Sequence, residues 1–381
     1  MSEYLRRAVA VGPGGIAGEQ LYAANRRFFA ETGTPWVRMW ADWPALQPER
    51  SGSPGGGSGA RALARLDAGI AGAKADGLSV MLTAWRFPRW ANGTEALTGE
   101  PGFALADRVP AGVDPARRKD LTFKLPADLS PDSAWARWID FLLGRYGTSI
   151  DALELMNEPN LQLWPQQGPS ADRADPFATG PLSIHDAVAR MLSTAQVVAR
   201  RHRNPPLLVG PATADPVGDT RLRTGYDTFT SALLDRLAKD GFDPGAGFAW
   251  SHHSYTDAEG DLGGSDNRVA GARAMLAGRW AGWPVGDADA PGLMITETGV
   301  RLDKVAAAYG LGRDATPARQ KQAELVERHW RRMQLGPEGE GVGLLCAYLF
   351  VTDITYDSGM CELDGTPRPA YHAWAQLPVF R

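Results

Sequence analysis

Short apolar runs alternate with longer stretches of helical period along the whole chain, and this alternation limits the fold more than any single motif. The runs fall at residues 7–11, 36–39, 79–83, 152–156, 207–209, 247–251, 293–296 and 343–350. Runs this short and apolar read as strands buried on both faces, and the stretches between them are the crossover helices that parallel strands need. Residues 19–32 form one such helix, stopped by Gly33, and residues 61–75 form another, stopped by Gly77. A third is expected to start from Ser130 as N-cap with Pro131 in its first turn. It then packs Trp135, Trp138, Phe141 and Leu142 into the core at spacings of three and four. Eight such units over 381 residues fit a closed (β/α)8 TIM barrel of the α/β class, one domain spanning residues 1–381, better than an open doubly wound sheet.

The Gly/Ser-rich segment 51–59 lies between the second strand and its helix, so it is expected to be a flexible loop inside the domain and not a linker. Two connections, 86–129 and 160–182, are too long for plain loops and belong on the face where a barrel does its chemistry, as a lid or wall. The formal charge of −4 argues against a nucleic-acid partner, which needs clustered Lys and Arg. No apolar run approaches the ~20 residues that span a bilayer. The opening Met-Ser-Glu-Tyr-Leu-Arg-Arg lacks the apolar centre of a signal peptide, so a cytoplasmic location is expected unless a leader has been trimmed. Cys346 and Cys361 have no zinc-type spacing; one bridge between them stays open, with two free thiols the favoured reading.

Chemistry concentrates at two strand ends. Leu153-Glu154-Leu155-Met156-Asn157-Glu158-Pro159-Asn160 ends the fourth strand with an amide, a carboxylate and a proline that stops it. Leu293-Met294-Ile295-Thr296-Glu297-Thr298-Gly299 ends the seventh with a second carboxylate. On strands four and seven of a barrel, Glu158 and Glu297 face each other across the mouth. Cleavage of an acetal needs such a pair, one carboxyl group to protonate the leaving oxygen and one to attack the anomeric carbon or activate water.

With Asn157-Glu158-Pro159 and Thr296-Glu297-Thr298-Gly299 as its two motifs, the sequence resembles glycoside hydrolase clan A, retaining β-glycosidases that include families 5 and 39. The resemblance implies Glu158 as general acid/base, Glu297 as nucleophile and Asn157 as a partner of the sugar 2-hydroxyl. Trp36-Val37-Arg38-Met39-Trp40 is similar to the second-strand motif whose Arg lies near the nucleophile, and His253-Ser254-Tyr255 to the sixth-strand His-x-Tyr. Arg38 is then expected to favour the ionised form of Glu297, and Tyr255 to orient it. Asp42-Trp43, Gln47-Pro48 and Arg368-Pro369-Ala370-Tyr371 are similar to family 39-like enzymes, so the resemblance covers nearly the whole chain. It departs at the eighth strand, where Ala347-Tyr348-Leu349-Phe350 offers Tyr348, Phe350 or no platform in place of a Trp. It departs also at the third, which ends in Trp85 where many family 5 members carry His.

These residues imply hydrolysis of a β-glycosidic bond in an oligo- or polysaccharide by double displacement, with no metal or organic cofactor. Glu158 is expected to be protonated at the outset, its pKa raised by Glu297, with the carboxyl groups about 5–5.5 Å apart. Trp85, Trp90 and Phe103, in or beside the first long connection, and Trp164 and Trp283 either stack on sugar rings or pack the connections. His252 and His253 lack a further ligand at a diagnostic metal spacing, which points to a supporting or sugar-binding His. Three other functions compete. One is a nicotinamide or flavin oxidoreductase, suggested by Gly12-Pro13-Gly14-Gly15-Ile16-Ala17, although Glu31 comes too early and Asp42 too late for the acid about 20 positions on. The others are a glycan-binding barrel without turnover and a transglycosylase.

Overall fold

The structure, a computed structural model, describes residues 5–11, 18–93, 125–126, 128–161, 184–219, 224–245, 247–260, 267–280, 292–352 and 356–379. Its strands are β1 (Arg6–Ala10), β2 (Trp36–Asp42), β3 (Ser79–Trp85), β4 (Ala152–Glu154), β5 (Leu207–Thr213), β6 (Phe248–His253), β7 (Leu293–Thr298) and β8 (Val342–Ala347). All pair in parallel in chain order, and β8 closes onto β1 through Arg6–Leu344 to Val9–Ala347, giving the (β/α)8 barrel. Each apolar run coincides with a strand. The ends shift because β5 continues to Thr213 and β6 into His252 and His253, polar residues that a search for apolar runs stops short of.

Alternation along the strands sorts the side chains. Ala8, Ala10, Met81, Ala152, Val209, Ala249, Met294, Leu344 and Cys346 form an inner cluster, while Val9, Val37, Leu82, Leu153, Ile295 and Leu345 join the larger core under the helices. The inner cluster is rich in alanine, and the bulkier polar side chains Arg38, Thr83 and Glu154 follow it along the strands.

Two local expectations are corrected. The helix Ala134–Tyr146 is capped by Ser133, whose hydroxyl accepts from Ala136 N at 3.1 Å, and not by Ser130. Pro131 falls in the turn before it, closed by Ser133 N donating to Ser130 O at 3.0 Å. Trp135 and Trp138 are buried as expected, Trp138 stacking on Trp43 at 5.2 Å, and half-buried Phe141 covers its other side at 5.7 Å. The segment 51–59 lies where expected but is closely packed. Gly55 N donates to Leu46 O at 2.8 Å, and a Cβ on Gly59 would stand 2.2 Å from Leu46 O, so only glycine fits.

Near the N-terminal end, outside β1, Arg7 is fully buried. Its Nη2 donates to Thr32 O at 2.7 Å and its Nη1 to Trp374 O, and the guanidinium lies 5.7 Å from the Trp374 ring. Those carbonyls belong to the last turns of the helices Gly18–Thr32 and Pro369–Gln376, whose partial negative charge is its counterpart. Burial lowers its pKa to about 10, so it stays charged at neutral pH. Cys346 and Cys361 are both free and buried. No described helix is long and apolar enough to cross a membrane.

Candidate active site

The C-terminal ends of β2, β3, β4, β6 and β7 meet around Arg38. Its side chain is fully buried, and three residues share it. Nη1 donates to Glu297 Oε1 at 2.6 Å and Nη2 to Asn157 Oδ1 at 2.8 Å. Nε and Nη2 both donate to Glu154 Oε2, at 2.8 and 2.5 Å, and Thr83 Oγ1 donates to the same oxygen at 2.8 Å. Burial works against the charge of Arg38, but Glu154 and Glu297 more than restore it, and its pKa is raised.

Glu297 is held on its other oxygen by Tyr255, whose hydroxyl donates to Oε2 at 3.0 Å. Burial and the neighbouring Glu297 push the phenol pKa well above its usual value, so Tyr255 remains a donor. Glu158 stands opposite with His253, the Nδ1 of which lies 2.8 Å from Glu158 Oε1 and 3.5 Å from Glu297 Oε2. Burial lowers the pKa of His253, but Glu297 and Glu158 outweigh it and the net shift is upward. One oxygen of each glutamate and a ring nitrogen of His253 lie within 4.8 Å of one another. That trio is the group that could hold a metal ion among the described residues, and an ion there would displace the Glu158–His253 bond.

The backbone at these strand ends is unusual. Arg86, Glu158 and Ala212, just after β3 and β4 and within β5, take φ of 57°, 46° and 52°, the left-handed region that side chains disfavour. Glu158 N donates to Ala212 O at 2.9 Å, locking two of these residues together.

Around this centre the sequence-derived residues separate into two groups. Arg38, Asn157, Glu158, His253, Tyr255 and Glu297 are joined in one chain of contacts. Trp85 lies at the rim, half-buried, its ring 5.0 Å from that of Trp40, which itself lies 4.2 Å from the guanidinium of Arg38. Arg86 covers Trp85 at 4.5 Å and pairs with Asp42. Tyr348 is half-buried 5.9 Å from Tyr356, whose ring is 5.0 Å from Tyr255. Phe350, the other candidate platform, is turned away, buried against Phe28 and Phe29 under the helices. Trp90 is likewise packing, against Trp43 at 5.7 Å. His252 points to the side of β6 opposite His253, with its ring 5.6 Å from Tyr226, and burial lowers its pKa to about 3. Phe103, Trp164, Trp283 and the segment 12–17 lie outside the described residues.

Sequence reasoning missed Glu154, Thr83 and Tyr356. Glu154 carried a signal, since it is a carboxylate flanked by leucines and two residues from the inward-facing Ala152. No polar residue belongs at such a position without a partner.

No protein-family model matches the chain, and no curated protein does. Solved structures do resemble it. A family 39 glycoside hydrolase from Bacteroides cellulosilyticus superposes with a TM-score of 0.56 at 14% identity, over 98% of this chain and 63% of that one. The chain therefore spans less than two thirds of that relative. Endo-glycoceramidase II from Rhodococcus gives 0.56 at 16% identity, over 98% and 78%. The β-glucosidase from Thermotoga maritima gives 0.60 at 10% identity, over 99% of each chain. These neighbours are glycoside hydrolases of the kind grouped in clan A, and at such identities the likeness is one of fold.

Proposed function

We propose that this chain is a retaining glycoside hydrolase that cleaves a β-glycosidic bond in an oligo- or polysaccharide, with Glu297 as nucleophile and Glu158 as general acid/base, in one catalytic barrel. The observation that carries the reading is the contrast between two facing carboxyl groups. Glu297 receives Arg38 and Tyr255, donors that favour a charged carboxylate. Glu158 has His253 as its side-chain hydrogen-bond partner among the described residues, and its side chain is partly exposed. A pair with oxygens within 4.8 Å suits direct attack, since inverting enzymes keep their carboxyl groups about 6.5–9.5 Å apart to admit a water.

In the first step a Glu297 oxygen bonds to the anomeric carbon as the bond to the leaving oxygen breaks, and Glu158 gives that oxygen its proton. In the second, water bonds to the same carbon, the Glu297 ester bond breaks, and Glu158 takes the water proton. Because Arg38 donates to the oxygen of Asn157, the Asn157 amino group is left to donate to a sugar hydroxyl. Trp85 and Tyr348, both half-buried, at the end of β3 and just after β8, are the aromatic residues proposed to border the substrate.

Glu297→Ala tests the reading. Across a panel of aryl β-glycosides, hydrolysis is expected to fall on the order of 10^4-fold or more, and added azide to yield an α-glycosyl azide. Hydrolysis near the wild-type rate in this variant sinks the nucleophile. A wild type that binds glycans and cleaves none is a glycan-binding barrel instead, and one that passes the glycosyl group to sugars in preference to water is a transglycosylase.

A further inference from the structure

Glu154 is a third carboxylate in the site, and every hydrogen bond it receives ends on one oxygen. Oε2 takes Arg38 Nε at 2.8 Å, Arg38 Nη2 at 2.5 Å and Thr83 Oγ1 at 2.8 Å, while buried Oε1 has no partner among the described residues. Arg38 thus gives Glu154 two N–H groups and Glu297 one, at 2.6 Å. All of this lies away from solvent, where charges are felt strongly.

We propose that Glu154 is a positioning residue that sets how much of the Arg38 charge reaches Glu297, and so divides the barrier between the two steps of double displacement. The inference rests on Glu297 being the nucleophile. Glu297 gives up its negative charge as it bonds to the anomeric carbon and regains it when water breaks that bond. A stronger cation at Glu297 therefore hinders the first step and helps the second. Glu154 draws on the same guanidinium and weakens that pull, which leaves the Glu297 carboxylate less tightly held while Arg38 still aligns it.

The one-sided geometry provides a variant that removes the charge and keeps the three donors to one oxygen, while burying an amino group at a position with no hydrogen-bond partner among the described residues. In Glu154→Gln the amide oxygen can replace Oε2 and keep three donors, while the amino group fills the place of unpartnered Oε1. Thr83→Val acts in the opposite sense. Losing the hydroxyl leaves Glu154 less stabilised, so it draws more strongly on Arg38 and relieves Glu297.

The test is stopped-flow release of dinitrophenol from the dinitrophenyl β-glycoside of whichever sugar the wild type cleaves, with the pH profile of kcat/KM measured alongside. For Glu154→Gln we expect glycosylation, read as kcat/KM, to fall about tenfold. Deglycosylation should hold or quicken, the burst should vanish, and the acidic limb should move to lower pH. For Thr83→Val we expect a larger burst, deglycosylation a few-fold slower and an acidic limb at higher pH. Equal falls in both steps with an unmoved pH profile would mean that Glu154 only supports the fold, and overturn the proposal. Should Glu154→Gln fail to fold, an unchanged partition in Thr83→Val overturns it equally. A wild type that releases no dinitrophenol from any glycoside counts against the hydrolase reading itself, and is thereby told apart from a failure of Glu154.

Discussion

Arg7 and Arg38 lie on neighbouring strands of the same barrel, both shut off from solvent, yet their surroundings differ in kind. Arg7, on the outer side of β1, meets backbone, with two carbonyls from helix ends and an indole face. Arg38, on the inner side of β2, meets side chains, with two carboxylates and an amide. A cation matched by carbonyl dipoles leaves no charge behind when it is removed. One matched by carboxylates belongs to an assembly in which every member fixes the state of the others. The base of the barrel therefore holds its buried cation with backbone dipoles, and the mouth holds one with side chains that the proposed function assigns to chemistry.

The sharpest test replaces each arginine by methionine. Arg38→Met strands Glu154 and Glu297 together, so it should cost about 3–5 kcal/mol in urea unfolding. It should also lower kcat/KM on the order of 10^3-fold. Arg7→Met loses its bonds to two carbonyls and its contact with the Trp374 ring, a cost of about 2–4 kcal/mol, and should leave kcat within about twofold. If Arg7→Met depresses turnover as Arg38→Met does, the contrast between the two ends collapses. Tyr255→Phe refines the picture at the mouth. Losing one hydrogen bond to a charged group, worth about 1.5–3 kcal/mol, should lower kcat/KM roughly 10- to 100-fold with no change in melting temperature beyond a few degrees.

The last test concerns acid, where the effect is spread over several pH units. Burial, with Arg332 and Arg328 nearby, holds His329 at about 3, and burial beside His253 and Arg268 does the same for His252. Unfolded, both rings bind a proton near 6.5, so stability is lost as pH falls from about 6.5 toward 3, by about 1.4 kcal/mol per pH unit for each ring. His253, shifted upward, contributes in the opposite direction, its share being lost as pH rises through its folded pKa. In His329→Gln, which can still bond Ser254 Oγ, the acid slope of the unfolding free energy should flatten by that amount. An unchanged slope means that His329 takes up its proton without unfolding.

The fold was legible in the sequence because a barrel strand buried on both faces is apolar throughout, and eight such runs leave few other ways to close. Glu158 and Glu297 were legible as polar breaks at the ends of apolar strands. Glu154 was hidden by its neighbours, since its meaning depends on Arg38, 116 residues away, and on β2, β3 and β4 lying side by side. The choice between Tyr348 and Phe350 was undecidable for a related reason. Both follow β8, and only the placement of Phe28 and Phe29 reveals which ring the helices claim. Ser130 and Ser133 are chemically equal as caps, and the turn between them decides.

The left-handed backbone at Glu158 carries a last consequence. Neighbouring residues in an extended chain face opposite ways, so an amide and a carboxylate adjacent in sequence would ordinarily be divided between cleft and helices. The turn at φ 46° cancels that division, and Asn157 and Glu158 both reach the cleft, one to Arg38 and the other to His253. Two roles can thus be written in consecutive codons, and a single insertion or deletion in this short stretch would remove both at once.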